Sequence, residues 1–303
     1  GLGDVYKRQV QTTHKNSHFP APNPTPPPDD KAQFYDRLAG INNDYIRVMH
    51  LCDIHFPYQH NGALDLAVQL VGYMQPHVVV IGSDDHDFDK ISSFQSDPRN
   101  EENSVLDVIQ EMIPYHNDLV NRLYDASPYT LYAYIWGNHN YRIYKYLMAN
   151  AKYLMKTVSN AYIDMIRSNN RVMYLGETDQ IRIENLIVSH GSKAGDNPAK
   201  KQLEMGGFQI NYMSGHVHRR TFYQKRGYHY SVNAVTSGCL CDLSPHYKGV
   251  NQDPTNWELG TCLCEIKRND PHATAHFENL KFDEDKDGVL SVRYHGTTFT
   301  AKK

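Results

Sequence analysis

Tyr45-Ile46-Arg47-Val48-Met49-His50-Leu51-Cys52-Asp53-Ile54-His55 is an apolar run that ends on a carboxylate and an imidazole two residues apart. The run from Tyr45 to Cys52 predicts a buried strand, and an extended continuation would turn Asp53 and His55 to the same side of the chain. Working outward, Leu64, Ala67, Val68 and Val71 follow one helix face, and His77 to Ile81 predicts a second strand closed by Gly82. Val105, Val108, Ile109 and Met112 repeat the helical spacing, which continues through Leu119, Val120 and Leu123. Pro114 is expected to kink or split that helix. Thr130 to Trp136 predicts a third strand, which delivers Gly137.

Strand, helix, strand, helix, strand implies a mostly parallel sheet, with ligands bound beyond the carboxyl ends of its strands. Asp53, Asp84 and Asn138 all fall there. After a helical region around Ala151 to Ser168, short strands become dense: Arg171 to Leu175, Ile181 to Glu184, Leu186 to His190, Ile210 to Ser214 and Tyr228 to Val235. A second sheet packed on the first would carry His190, His216 and His218.

With 303 residues, the chain divides most simply into an N-terminal artefact and Pro-rich linker 1–44, expected to be largely disordered or extended, and one catalytic domain 45–303 that ends in a β-rich extension. Gly1 to Gln9 resembles translated adaptor read-through, so native sequence upstream is expected to be missing. Pro20, Pro22, Pro24, Pro26, Pro27 and Pro28 favour an extended linker. A net charge of -3 gives no general electrostatic footprint for nucleic acid. No stretch approaches the roughly 20 apolar residues of a membrane span, and no secretory signal is present, so a soluble cytoplasmic protein without membrane partners is expected. The five cysteines, one of them in the first strand, are expected to be free thiols.

The chain carries 17 His, and any one alone is more often a surface or core residue than a ligand. Here, however, they fall into ordered blocks at strand ends: Asp53-Ile54-His55, Asp84 with Asp87, Gly137-Asn138-His139, His190-Gly191 and Gly215-His216-Val217-His218. Nitrogen and oxygen donors brought from several strand ends are what a pair of divalent cations needs to act on a phosphate. Asp84, Asp85, Asp87 and Asp89 crowd one loop, which would raise their pKa values unless cations neutralised them. One such carboxylate can bridge two cations about 3.5 to 4 Å apart. Asn138 offers a neutral oxygen, and His139 beside it could protonate a leaving group, with Asp87 orienting it and keeping it charged.

On these blocks the chain resembles the calcineurin-like metallophosphoesterases, in that family's order, over Val48 to about Leu240. Asn138-His139-Asn140-Tyr141-Arg142 and Ser237-Gly238-Cys239-Leu240 look like the branch common in phage and environmental genomes. The resemblance implies an α/β four-layer αββα sandwich of two mixed sheets flanked by helices. It implies one cation held by Asp53, His55, Asp84 and His218, and a second by Asp84, Asn138, His190 and His216. His139 would be the general acid, paired with Asp87, and a hydroxide bridging the two cations would attack phosphorus. Manganese is the first choice of metal, with zinc, iron and nickel as the others. Two positions depart from the family pattern: Ser83 stands where Gly usually precedes the bridging Asp, and Asn140 stands where an acidic residue usually follows the catalytic His.

The implied substrate is a phosphomonoester or phosphodiester. The alternatives are a DNA nuclease acting on nucleic acid and a non-catalytic metal-binding scaffold. Arg142 could clamp a phosphate oxygen or pair with a nearby carboxylate. Tyr141, Tyr144 and Tyr146 could stack on a base, though packing is the commoner role. Cys239, Cys241, Cys262 and Cys264 are read as packed thiols rather than a zinc knuckle, and Asp287-Gly288 as a hairpin turn rather than part of a calcium loop.

Overall fold

The computed structural model of the chain describes residues 29–92, 104–176, 178–228, 230–244 and 256–302. The read-through and Pro-rich stretches expected at 1–28 lie outside the described residues. The helices are α1 (Asp30–Ala39), α2 (Asn61–Met74), α3 (Val105–Ala126), α4 (Arg142–Asn150), α5 (Met155–Arg167) and α6 (Pro198–Met205). The strands are β1 (Tyr45–His50), β2 (Val78–Gly82), β3 (Leu131–Ile135), β4 (Val172–Tyr174), β5 (Gln180–Ile183), β6 (Leu186–Ser189) and β7 (Asn211–Ser214). They continue with β8 (Thr221–Arg226), β9 (Ser231–Thr236), β10 (Gly260–Lys267), β11 (His276–Lys281), β12 (Asp283–Glu284), β13 (Val289–Tyr294) and β14 (Thr297–Lys302).

One sheet has the order β11-β10-β1-β2-β3-β4, a second β5-β6-β7-β9-β8, and a small third β12-β13-β14. β1 to β4 run parallel, and β10 joins β1 antiparallel with Val48 opposite Cys264. β6, β7 and β9 are parallel in the second sheet, with β5 and β8 antiparallel at its edges. Both large sheets are therefore mixed.

The two-residue period of each strand assigns its side chains to layers. Val78 and Val80 of β2 and Leu131, Ala133 and Ile135 of β3 meet Leu186, Val188, Met213 and Val235 in the core between the sheets. Val79, Ile81, Tyr132 and Tyr134 face the other way, onto α2, α3 and α5. Tyr212, Val232 and Ala234 face outward from the second sheet onto Ala199 and Leu203 of α6. The result is helices, sheet, sheet, helix: a four-layer αββα sandwich. The small sheet lies on α2, with Leu290, Val292 and Tyr294 buried there.

Two expectations differ. Part of the segment expected to be an extended linker, Asp30–Ala39, is a helix. Asp29 caps it by accepting the Ala32 N–H at 3.0 Å, and Phe34 and Leu38 bury into the inter-sheet core. Nor does Pro114 split α3, which is one helix opened by a capping box of Ser104 and Asp107. An interior proline costs about 3 kcal/mol. Val108, Ile109 and Met112 before it and Leu119, Val120 and Leu123 after it are buried, at about 1.5–3 kcal/mol each, which outweighs that cost. No described helix is long and apolar enough to cross a membrane.

Candidate metal centre

The seven ligand candidates arrive from the carboxyl ends of parallel strands in both sheets: Asp53 and His55 after β1, Asp84 after β2, Asn138 after β3, His190 after β6, and His216 and His218 after β7. Backbone hydrogen bonds lace these ends together, from Asp53 N–H to Ser83 O at 2.9 Å, His55 N–H to Asp84 O at 3.0 Å and Gly215 N–H to His190 O at 3.0 Å.

Asp53, His55, Ser83, Asp84, His216 and His218 all have positive φ, between 50° and 76°. The alternation expected of an extended Asp53-x-His55 is therefore not what aligns the pair, because the chain has already left β geometry. Left-handed backbone at non-glycine residues costs energy and persists where the surroundings enforce it, typically at functional sites. Gly137 and Gly215 allow the sheets to close on the site, since a Cβ at Gly137 would collide with the Asp84 carboxylate, and one at Gly215 with that of Asp53.

Two nests of donor atoms result. In the first, His218 Nε2 lies 3.2 Å from Asp53 Oδ1 and 3.1 Å from His55 Nε2, while His55 Nε2 is 3.9 Å from Asp53 Oδ1. In the second, His190 Nε2 lies 2.7 Å from Asn138 Oδ1, 3.0 Å from His216 Nδ1 and 3.2 Å from Asp84 Oδ2. Asp84 also groups with His55 and His139, so it stands between the nests. Ligands about 2.0–2.1 Å from a cation in tetrahedral geometry sit roughly 3.3 Å from one another. These spacings, and a donor set of imidazole, carboxylate and amide oxygen, fit one divalent cation per nest.

The electrostatics suit positive charge. Burial alone would raise the Asp53 carboxyl, but His218, His190 and His55 outweigh it and hold Asp53 well below the usual carboxylate range. Burial of Asp84 is likewise overcome by His190, His139 and His55. The crowding expected to raise these groups is thus countered by neighbouring imidazoles, at Asp85 and Asp87 as well, and Asp89 is the one that burial does raise. Burial would lower His190, but Asp84 and then Asp53 push it up to about 9. His216 is lowered, by burial and by its neighbour His190.

Asp87 faces His139 together with two other partners. Its carboxylate accepts from His55 Nδ1 at 2.8 Å and Arg142 Nη1 at 2.9 Å, and is 3.5 Å from His139 Nδ1. His139 Nδ1 lies closer, at 3.0 Å, to the Asp87 backbone carbonyl. Of the two readings made for Arg142, the structure gives the carboxylate pair, with Asp87, and adds a contact to His139 Nε2 at 2.8 Å. Tyr141 and Tyr144 pack on Trp136, whereas Tyr146 lines a cavity of about 220 Å³ with Ile91, Asn138, Arg142 and Lys145.

Both departures from the family pattern have local partners. Ser83 Oγ bonds buried His50 Nε2 at 3.1 Å, and burial drives His50 down to about 4, so that ring is neutral. Asn140 Oδ1 accepts the Gly137 N–H at 2.6 Å, and its Nδ2 donates to the hydroxyls of Tyr134 and Tyr162. Sequence reasoning missed these contacts, along with Trp257, whose ring lies 3.9 Å from that of His218, and Cys241 Sγ, 3.8 Å from His218 Nδ1. Nothing local marks them; each is supplied by a distant segment. The cysteines are all free and buried, Cys262 and Cys264 between the sheets and Cys239 and Cys241 in the other core, so four thiolates do not meet. Gly288 turns the β12–β13 hairpin, as expected, with its N–H on Asp285 O at 3.1 Å.

No protein-family profile matches the chain, and no curated protein matches it in sequence. Solved structures similar to it include Vps29 from Chaetomium thermophilum, at 11% identity over 85% of this chain and 95% of that one, with a TM-score of 0.38. Wild-type Vps29 from Entamoeba histolytica complexed with Zn+2 is similar at 11% identity over 84% of this chain and 97% of that one, with a TM-score of 0.35.

Proposed function

We propose that this chain is a dinuclear-metal-dependent phosphoesterase acting on phosphomonoesters or phosphodiesters. The observation that carries this reading is the meeting of Asp53, His55, Asp84, Asn138, His190, His216 and His218 in two nests that share Asp84. Asp53, His55, Asp84 and His218 would hold one cation, and Asp84, Asn138, His190 and His216 the other. Divalent cations there, manganese first among the candidates, would supply Lewis-acid polarisation of the phosphoryl group and a nucleophile at neutral pH.

The protein's own groups do the rest. His139, beside His55 and Asp84, is placed to give a proton to the departing oxygen. Arg142 offers a fork of N–H donors suited to a phosphate oxygen. The cavity beside Asn138 and Arg142 would take the organic part of the ester, with Tyr146 as its aromatic wall.

The test is to assay the purified chain, loaded with manganese, against a chromogenic phosphomonoester, the corresponding diester and single-stranded DNA. Metal-dependent turnover of either small ester supports the reading. Cleavage of DNA and diester alone would shift it to a nuclease, and full metal loading with no turnover of any substrate would replace it with a non-catalytic scaffold.

A further inference from the structure

Asp85, His86 and His116 make a third group of metal-ligating side chains, apart from the two nests and in the layer between the first sheet and its helices. Asp85 follows Asp84 in sequence but points the opposite way, toward α3, β3 and α5, where it meets His116, Tyr134 and the neighbourhood of Tyr162. We propose that this triad is a further cation site, one that takes a zinc-like divalent ion.

The geometry carries the proposal. Asp85 Oδ1 lies 3.1 Å from His86 Nδ1, and Asp85 Oδ2 lies 3.7 Å from His116 Nδ1. These values bracket the roughly 3.3 Å between ligands of a tetrahedral zinc. The Tyr162 hydroxyl lies 3.0 Å from His86 Nδ1, and the Tyr134 hydroxyl donates to Asp85 Oδ1 at 2.6 Å, so both orient the triad. Two imidazoles with a carboxylate oxygen suit zinc better than calcium or magnesium, which take oxygen alone.

Burial makes the charge balance demanding. Asp85, His86 and His116 are 2%, 0% and 1% exposed. Among the described residues no Lys or Arg pairs with the buried Asp85 carboxylate, whose ion-pair partners are His86 and His116. Nε2 of both His86 and His116 is buried without a hydrogen-bond partner, and Nδ1 of each ring faces Asp85. A cation bound at the two Nδ1 atoms would put positive charge directly beside the carboxylate.

The site would also stiffen what lies above it. Tyr134 and Tyr162, which touch this triad, hold the amide of Asn140, and Asn140 holds the Gly137 N–H at the start of the Asn138-His139 loop. A cation at Asp85 would tie the backbone beside Asp84 to that loop. The proposal does not depend on the phosphoesterase reading.

The test strips the full chain with a chelator, reloads it with zinc chloride, removes free ion and counts bound zinc by plasma mass spectrometry, for the native chain and for His116→Gln. The native chain is expected to hold one zinc equivalent more than the variant, whatever the occupancy of the two nests. Asp53→Asn with His218→Gln should retain that equivalent. Equal zinc in the native chain and His116→Gln overturns the proposal and makes the triad a hydrogen-bonded network only. Should His116→Gln fail to fold, anomalous diffraction at the zinc edge from the native protein decides: a peak among Asp85, His86 and His116 supports the site, and its absence refutes it.

Discussion

Arg142 Nη2 lies 2.8 Å from His139 Nε2 and, because a guanidinium has only donors, it is the imidazole nitrogen that accepts. His139 Nδ1 is directed at the Asp87 carbonyl, and its Nε2 is capped by Arg142. For Nε2 to deliver a proton, Arg142 must let go, and a phosphate oxygen is the natural competitor for its fork. Replacing Arg142 with Ala should therefore lower kcat/KM about ten- to a hundredfold, the worth of a charged hydrogen bond at 1.5–3 kcal/mol, while bound metal stays the same. Steady-state kinetics beside metal analysis would decide it, and an unchanged kcat/KM would remove Arg142 from the substrate's path.

His139 itself touches Asp84 only at 3.7 Å through its ring and is not needed to fill either nest. His139→Ala should keep the metal content and slow turnover roughly a hundredfold or more. A variant that turns over at the native rate would end the proton-donor role.

Gly137 has no room for a side chain against Asp84. Gly137→Ala should displace the Asp84 carboxylate, lower the number of cations bound and destabilise the chain by about 1–3 kcal/mol, as overpacking does. Calorimetry with metal counting reads both effects. If the alanine variant loaded metal normally, the proposed place of Asp84 between the nests would be wrong.

Metal uptake should depend on pH through His190. Its pKa, lowered by burial but raised more by Asp84, sits at about 9, so a cation must displace a proton from this ring at neutral pH. Affinity for manganese is expected to rise by up to about tenfold per pH unit until roughly pH 9 and then level off. In the metal-free chain the same group acts in the opposite sense. The raised folded pKa means its contribution to stability is complete below the unfolded value of about 6.5 and is lost as pH rises through about 9. Titration calorimetry of metal binding and thermal unfolding of the metal-free chain, each across that window, would reveal the two opposed slopes. An affinity flat with pH would contradict the first, and stability that climbs toward pH 9 would contradict the second.

Much of the fold was legible because its signals are local. The runs ending at Cys52, Ile81 and Trp136 match β1, β2 and β3 within two residues, and the blocks after them lie at the strand ends as expected. What escaped were elements whose partners are remote. β10 reads as a loosely patterned stretch until it pairs with β1 more than two hundred residues earlier, and β8 has mostly half-exposed or exposed side chains with no clean alternation. α1 was hidden by the prolines just before it, since its helical signal rests on two buried side chains and a cap.

The identity and order of the ligand blocks were determined by the sequence, because a His or Asp at the end of an apolar run stays at a strand end wherever that strand packs. Direction was decided only by the tertiary structure. Asp84 turns to the two donor nests and Asp85 into the helical layer, and Asp87 spreads its carboxylate over His55, Arg142 and His139. Those outcomes follow from left-handed backbone at Ser83 and Asp84, held by hydrogen bonds across the sheet from Asp53, His55 and Ile135, and such strain has no local cause for a sequence to reveal.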